Sequence, residues 1–420
     1  MDETPHIGIF HPTDPVGHIP GGIESVIRGI LKSAPLDLSY TLFGATSDLM
    51  ARPLGRPVEM PFGGPNVRFV PIVSADASAT RGRMPLTVRY LYSVRRLFGS
   101  EQLQRLCALD FHRIEPLTLF RRDRRPKNVM IHQDMAVIRD KDCDIGWRHA
   151  PWLYERMERS LLPHADRVYC VRRSAVDRYR KLYPEIADRF SFIPTWVDTE
   201  VFRPVRDAAE RAELRERLKA TLGVSPSSRM LISVGRLDRQ KDPLLMLDAF
   251  ERAAARQPDC HLVLIGDGIL RQEVEARCGS AALAGKVSLL GARRPAEIAE
   301  WLRASDVFVL SSAYEGMPIV VLEALACGLP VVTTNVGEVQ LTVHSNVNGM
   351  VIDGRSPEEL ANAISATLVS LASLSGAPCV QAVAEYVPER VLSRVYDNHR
   401  RQAARMDAKG AAVTIAGNAS

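Results

Sequence analysis

Two glutamates with seven residues between them, Glu315 and Glu323 in YEGMPIVVLEALACGLPVV, carry the most informative spacing in the chain. Pro318 suits the first turn of a helix, Gly328 its C-terminal stop and Pro330 a breaker beyond it, so the spacing predicts a helix from about Pro318 to Cys327. Glu315 then precedes the helix, and Glu323 lies inside it among Val320, Val321, Leu322, Ala324 and Leu325. An ionised carboxylate there is costly unless a group hydrogen-bonds it. A vicinal diol is one such partner, and a core arginine is the structural alternative. Backbone N–H groups around Gly316 and Met317, at the helix start, suit an anion such as a phosphate.

A second group lies in LISVGRLDRQKDP, where Arg236 and Lys241 sit in the loop leaving a strand. A planar fork and a point charge together neutralise a diphosphate without a metal ion. Gly266 and Gly268 of IGDG let the loop after the next strand approach a ligand closely. Gly21 and Gly22 of PGGIESVI sit between the first strand and first helix, again a place for backbone contact with phosphate. Glu24 reads as a first-turn acid favoured by the helix dipole. His132 ends the run NVMIH, where an imidazole either hydrogen-bonds a ligand or serves the core as a structural histidine. Asp134 is a weaker candidate for ligand contact. Asp142-Cys143-Asp144 spells a metal-binding DxD, but it follows a charged stretch rather than an apolar strand and reads as loop. No catalytic metal is expected.

The elements that must position these groups alternate along the whole chain. HIGIF, NVRFVPIV, NVMIH, DRVYCV and FSFIP in the first half, then RMLISVG, CHLVLIG, VSLLG, DVFVLS, PVVTT and GMVID in the second, are short apolar runs between helical segments. That pattern predicts parallel sheets covered by helices on both faces, and it occurs twice. The fold class is α/β, with two Rossmann-like, doubly wound domains facing a cleft. The expected domains are residues 1–205 and 206–385. A helix over 386–405 is expected to pack back on the first domain, with a disordered tail over 406–420. Ligands of such sheets bind at the carboxyl ends of the strands.

Length and composition set the outer bounds. The 420 residues suit two or three domains, and 46% hydrophobic with 25% charged residues is the balance of a globular protein. Collagenous, disordered and disulfide-scaffold readings are excluded. The 54 basic and 49 acidic side chains leave a net charge of +5, too little to imply nucleic acid. Seven cysteines (Cys107, Cys143, Cys170, Cys260, Cys278, Cys327, Cys379) are scattered without a CxxC pair and read as reduced thiols. The opening MDETPHIGIFHPTD shows no basic region followed by an apolar segment, so the expected location is the cytoplasm. The stretch MPIVVLEALACGLPVVTT fails as a membrane span because it contains Glu323, Gly328 and two prolines. Residues 81–127 hold twelve Arg or Lys against four acids, and within them TVRYLYSVRRLF has the form of a basic amphipathic helix for an anionic membrane surface. A solvated helix with an arginine-biased face is the bland alternative.

Taken together, the GGIE loop, TWVDTEVFRP, VGRLDRQKD, IGDG, YEGMPIVVLEALACGLPVV and VNGMVIDG resemble the retaining glycosyltransferases of family four, which have the GT-B fold. The resemblance spans nearly the whole chain. It implies that Glu323 binds the nucleotide ribose, that Glu315 lies by the donor sugar, and that Arg236 and Lys241 grip the donor diphosphate. It implies that Gly316, Met317 and Pro318 contact the transferred sugar and phosphate through their backbone, and that His132 lies near the reaction centre. The implied reaction moves a hexosyl group from a nucleoside diphosphate sugar, GDP-mannose or a UDP-hexose, to an acceptor hydroxyl with retention and without cofactor or metal. The basic segment points to a lipid-linked saccharide acceptor in bacterial polysaccharide assembly, reached from the cytoplasmic membrane face. Two departures from the family pattern stand out. Thr195-Trp196 replaces a flexible Asn-Gly, and Val336-Gly337 replaces a glycine pair. Competing readings are transfer to a soluble small acceptor, an epimerase or phosphorylase of the same fold, and a non-catalytic binding subunit. No lysine motif supports the pyridoxal cofactor a phosphorylase needs.

Overall fold

The computed structural model describes residues 4–16, 22–75, 84–132, 147 and 150–417. The described residues form two compact units, one within Met1–Met135, His149–Ile193 and Pro388–Ser420, the other within Pro194–Val387. The changeover after Ile193 falls ahead of residue 205, and the reason is packing. Val197 and Phe202 are buried in the core of the second unit, where the Val197 N–H donates to the Tyr386 carbonyl at 2.9 Å. The charged helix Ala208–Leu222 follows, capped by Asp207, whose side chain accepts the Glu210 N–H, and closed by Gly223 in the left-handed conformation.

The first unit holds strands β1 (His6–Phe10), β2 (Ser39–Thr46), β3 (Val58–Glu59), β4 (Val67–Ser74), β5 (Ala108–Phe111), β6 (Lys127–Ile131), β7 (Arg167–Cys170) and β8 (Phe190–Phe192). Their order across the sheet is β3-β4-β2-β1-β5-β6-β7-β8, parallel except for the β3–β4 pair. The second unit holds β9 (Arg229–Val234), β10 (Cys260–Ile265), β11 (Val287–Leu289), β12 (Val307–Leu310), β13 (Val331–Thr334) and β14 (Gly349–Ile352), all parallel, in the order β11-β10-β9-β12-β13-β14. Each apolar run singled out in the sequence contains a strand. β2, β3 and β5 are additional. The β5 run is only four residues long, and β2 carries Ser, Thr and Gly44 among its apolar residues, so neither stands out as an apolar block.

Both faces of the second sheet are covered. Met230, Ile232 and Val234 of β9 enter one apolar cluster and Leu231 the other, the two-residue alternation of a strand buried on both sides. The direction of winding reverses between β9 and β12 in this sheet and between β1 and β5 in the first. Loops leaving the carboxyl ends of adjacent strands diverge at such a reversal and leave room for a ligand.

The last helix, Pro388–Gly417, is part of the first unit. Tyr396 donates its hydroxyl to the Ile30 carbonyl at 2.8 Å, and buried His399 places Nε2 2.9 Å from Asp110 Oδ2. The helix continues past residue 406, where loss of apolar pattern suggested a disordered tail. The alanine-rich run AARMDAKGAA supplies helix propensity without needing an apolar stripe. Among the described residues no single helix is long and apolar enough to cross a membrane.

Candidate active site

The loops after β9 and β12, the two strands at the reversal in the second sheet, bring most of the singled-out charges together. Lys241 Nζ lies 2.6 Å from Glu315 Oε1, which also accepts from Ser312 Oγ at 2.8 Å. Gln240 Nε2 donates to Glu315 Oε2 at 3.3 Å, and Gln240 Oε1 accepts from Arg236 at 3.0 Å. Arg236 is also 2.8 Å from buried Asp238, whose other carboxylate oxygen accepts the Lys241 backbone N–H at 3.0 Å. The result is one continuous chain, Asp238–Arg236–Gln240–Glu315–Lys241. Glu315 is almost wholly buried, whereas the Arg236 side chain is 61% exposed. Buried and fully hydrogen-bonded, Glu315 is a fixed anchor, while Arg236 retains the freedom to turn toward an anion.

Asp238, Gln240 and Ser312 were missed by the sequence reading, although the first two lie inside the segment GRLDRQKD that it singled out. Neither has a residue type that announces a role alone. Their function is to hold the charged pair in place.

The glycines of IGDG have a reason other than ligand approach. Gly266 takes φ +147°, and a Cβ there would stand 1.7 Å from the Gly235 carbonyl oxygen. A Cβ at Gly268 would stand 2.4 Å from the Leu237 carbonyl oxygen. The loop after β10 lies against the loop after β9, joined by Leu237 N–H to the Asp267 carbonyl at 3.0 Å and Leu270 N–H to the Leu237 carbonyl at 2.9 Å. These glycines set the shape of the loop that bears Arg236 and Lys241.

The helix after β12 spans Ile319–Ala326, with Pro318 as its N-cap in an extended conformation and Cys327 as its C-cap. It begins one residue later than expected, and Gly328 follows at φ +78°. Gly316 and Met317 are fixed from outside the helix. The Glu338 N–H donates to the Gly316 carbonyl at 3.0 Å, and Thr195 Oγ1 donates to the Met317 carbonyl at 3.2 Å. Thr195 and Trp196, the residues that depart from the family pattern, are both buried in the second unit, and Thr195 braces this loop.

Glu323 projects from the middle of that helix and is only half-buried. Among the described residues no hydrogen-bond donor is recorded at its carboxylate. Dense surrounding protein raises its pKa from 4.5 to about 7; Lys241 pulls the value down and Asp198 pushes it up. The core-arginine alternative is therefore not what the fold provides. An accessible carboxylate without a donor, held half-ionised near neutrality, is a ready acceptor for hydroxyl groups.

The remaining residues belong to the first unit. Gly22 opens the helix Gly22–Lys32, with Glu24 in its first turn, and Gly21 lies outside the described residues, as do Asp134 and Asp142, Cys143 and Asp144. Asp14, in the turn after β1, accepts from Thr46 Oγ1 at 3.2 Å and from Arg52 at 2.9 Å. His132 follows β6, and its Nε2 lies 3.0 Å from His112 Nδ1 beyond the end of β5. Burial holds His132 down at about pKa 4. His112 and His11, the latter just after β1, are held well below the usual imidazole range by burial first, and second by the crowding of the three imidazoles, each disfavouring a proton on its neighbour, with Arg113 adding to the effect at His11. Sequence reasoning found His132 but not its two companions, whose nearness depends on β1, β5 and β6 lying side by side.

Residues 215–370 match the family Glycosyl transferases group 1. The chain is 29% identical to the D-inositol 3-phosphate glycosyltransferase of Segniliparus rotundus over 247 residues, which are 57% of this chain and 53% of that protein. It is 32% identical to the UDP-Gal:alpha-D-GlcNAc-diphosphoundecaprenol alpha-1,3-galactosyltransferase of Escherichia coli over 206 residues, 48% of this chain and 49% of that protein. The matches thus span about half the length of the curated relatives. Among solved structures, the sucrose-phosphate synthase of Thermosynechococcus elongatus superposes with TM-score 0.79 at 21% identity, covering 96% of this chain and 100% of that one. This last likeness concerns the fold, which is GT-B.

Proposed function

We propose that this chain, which belongs through residues 215–370 to the glycosyl transferases group 1, transfers a hexosyl group from a nucleoside diphosphate sugar to an acceptor hydroxyl with retention of configuration. The observation that carries this reading is the pairing, at one strand reversal, of the Arg236–Gln240–Glu315–Lys241 chain with the accessible carboxylate of Glu323. Arg236 and Lys241 supply positive charge for the leaving diphosphate, and Glu323 accepts hydroxyls of the ribose. As the glycosidic bond to the donor breaks, negative charge grows on the diphosphate, and fixed cations and amides aimed at it lower the barrier. The backbone of Gly316, Met317 and Pro318 lines the path of the transferred sugar.

Glu315 serves this scheme as an anchor rather than as a nucleophile, since both of its oxygens already accept hydrogen bonds from Lys241, Ser312 and Gln240. Attack by the acceptor on the face from which the diphosphate departs fits such a site. The reading assigns the diphosphate's countercharge to side chains and invokes no divalent ion; chelation with EDTA is expected to leave the rate unchanged. His132 in the first unit is assigned to hydroxyl contact with a sugar substrate.

Both GDP-mannose and UDP-hexoses are proposed donors, and the Escherichia coli relative's use of UDP-Gal puts UDP-hexoses first in any screen. That relative's lipid diphosphate acceptor favours a lipid-linked saccharide here, as in exopolysaccharide assembly. A peripheral position on the inner membrane face follows from the helix Leu86–Arg96. Val88 and Tyr92 lie one turn apart on it and are exposed beside Arg95 and Arg96, and Met84 just before the helix is exposed too, so apolar side chains and positive charge lie together at one exposed stretch. The experiment that tests the enzyme reading is donor binding by Glu323→Ala and Arg236→Ala. Both are expected to weaken it, and unchanged affinity in both would remove the site assignment. Release of free nucleoside diphosphate from a labelled donor separates a transferase from a non-catalytic binder.

A further inference from the structure

Three histidines stand at the carboxyl end of the first sheet: His11 one residue beyond β1, His112 one beyond β5 and His132 one beyond β6, on strands that lie side by side. His11 and His112 are about 95% buried, and His132 is less so. The rings of His112 and His132 stack at 5.3 Å with 21° between their planes, and His11 meets His112 edge-on at 6.3 Å. His112 Nδ1 and His132 Nε2 are 3.0 Å apart, a hydrogen bond in which one ring must donate and the other accept. His11 Nδ1 is buried without a partner among the described residues. Arg113, which acts on His11 through its charge, is turned to Glu115 at 2.7 Å and to Thr87 Oγ1 at 3.2 Å.

A neutral imidazole has one hydrogen to place. Burial makes an unpaired N–H costlier than an unpaired lone pair, and His112 is the more deeply buried of the pair. His112 therefore spends its hydrogen on the bond, as Nδ1–H donating to His132 Nε2. His132 must then carry its own hydrogen on Nδ1, the nitrogen that has no partner among the described residues. We propose that His112 is a positioning residue that fixes His132 in its Nδ1–H tautomer, so that His132 presents a hydrogen-bond donor to a sugar hydroxyl oxygen. This rests on the transferase reading for its consequence but not for its geometry, because the tautomer exists with or without turnover.

The test combines spectroscopy with kinetics on the full chain. In protein labelled with ¹⁵N-histidine, two-bond ¹H–¹⁵N correlations are expected to show His132 as the Nδ1–H form alone, and to show an average of both tautomers in His112→Phe, which keeps the ring volume. His112→Asn keeps an N–H near the position of Nδ1 and is expected to restore the single tautomer. In transfer assays His112→Phe is expected to lower kcat about tenfold, the scale of one hydrogen bond, with the donor KM unchanged, and His112→Asn to recover most of it. An Nε2–H or mixed tautomer in the unaltered protein overturns the proposal, even if no variant folds. So does an unchanged kcat in His112→Phe, or an equal loss in His112→Asn. If the chain transfers no sugar at all, the transferase reading fails while the spectra still decide the tautomer.

Discussion

The carboxyl ends of the two sheets share an architecture and differ in chemistry. In the second unit the loops after β9 and β12 carry full charges, each held by a partner: Lys241 on Glu315, Arg236 on Asp238 and Gln240. In the first unit the residues after β1, β5 and β6 are imidazoles kept neutral by burial. Under the proposed function, the same topological reversal serves once to stabilise a growing charge and once, at His132, to hydrogen-bond a hydroxyl without carrying charge. A donor with a diphosphate and a sugar that is all hydroxyls call for those two chemistries. The contrast also shows that the fold supplies places, and the side chains supply function.

The contrast can be broken most severely at the glycines that shape the two loops. Gly266→Ala forces a Cβ into the Gly235 carbonyl at a positive φ and is expected to cost about 4 kcal/mol or more of stability, whereas Gly22→Ala, with nothing within 4 Å, is expected to be neutral or slightly stabilising. Thermal unfolding of both variants checks this. Next in size, Lys241→Ala is expected to reduce kcat by about 10²–10³-fold, because it removes charge from the leaving diphosphate and leaves Glu315 buried without its cation.

A third effect is carried by pH. The folded pKa of Glu323 is raised from 4.5 to about 7, so protonation of this side chain adds stability that is complete below about pH 4.5 and is lost as pH rises through about 7. The unaltered protein is therefore expected to lose up to about 3 kcal/mol relative to Glu323→Gln across that window, measured by urea unfolding at a series of pH values. The smallest effect concerns the surface. Replacing Arg95 and Arg96 by alanine is expected to weaken binding to vesicles containing anionic lipid by about 1 kcal/mol per arginine, read by cosedimentation, and no change would remove the membrane proposal.

How much of this was legible in the sequence differs between the two regions for a physical reason. In the second unit the groups lie close together along the chain: Arg236 to Lys241 in one loop, Glu315 to Glu323 in one loop and helix. Local spacing therefore exposed them, along with the alternation of strands and helices. Glu323 was expected to be costly in its apolar helix, and it is held at a raised pKa. What local spacing hid was support from neighbouring strands. Gln240, which bonds Glu315 across the two loops, became meaningful only when β9 and β12 were adjacent, and the glycines of IGDG only when their loop lay on the Gly235 carbonyl. His11, His112 and His132 are separated by more than a hundred residues of chain in total and meet solely because β1, β5 and β6 are neighbours. Their partnership is a property of topology, which no single segment records.

The most direct test of the charged site is calorimetric titration with UDP and with GDP at pH 6 and pH 8, on the unaltered protein and on Glu323→Gln. One of the two nucleotides is expected to bind, more tightly at pH 8 where Glu323 is ionised. In Glu323→Gln binding is expected to be weaker by about tenfold or more and to lose its pH dependence. Binding of neither nucleotide, or equal affinity in both proteins at both pH values, would contradict the account.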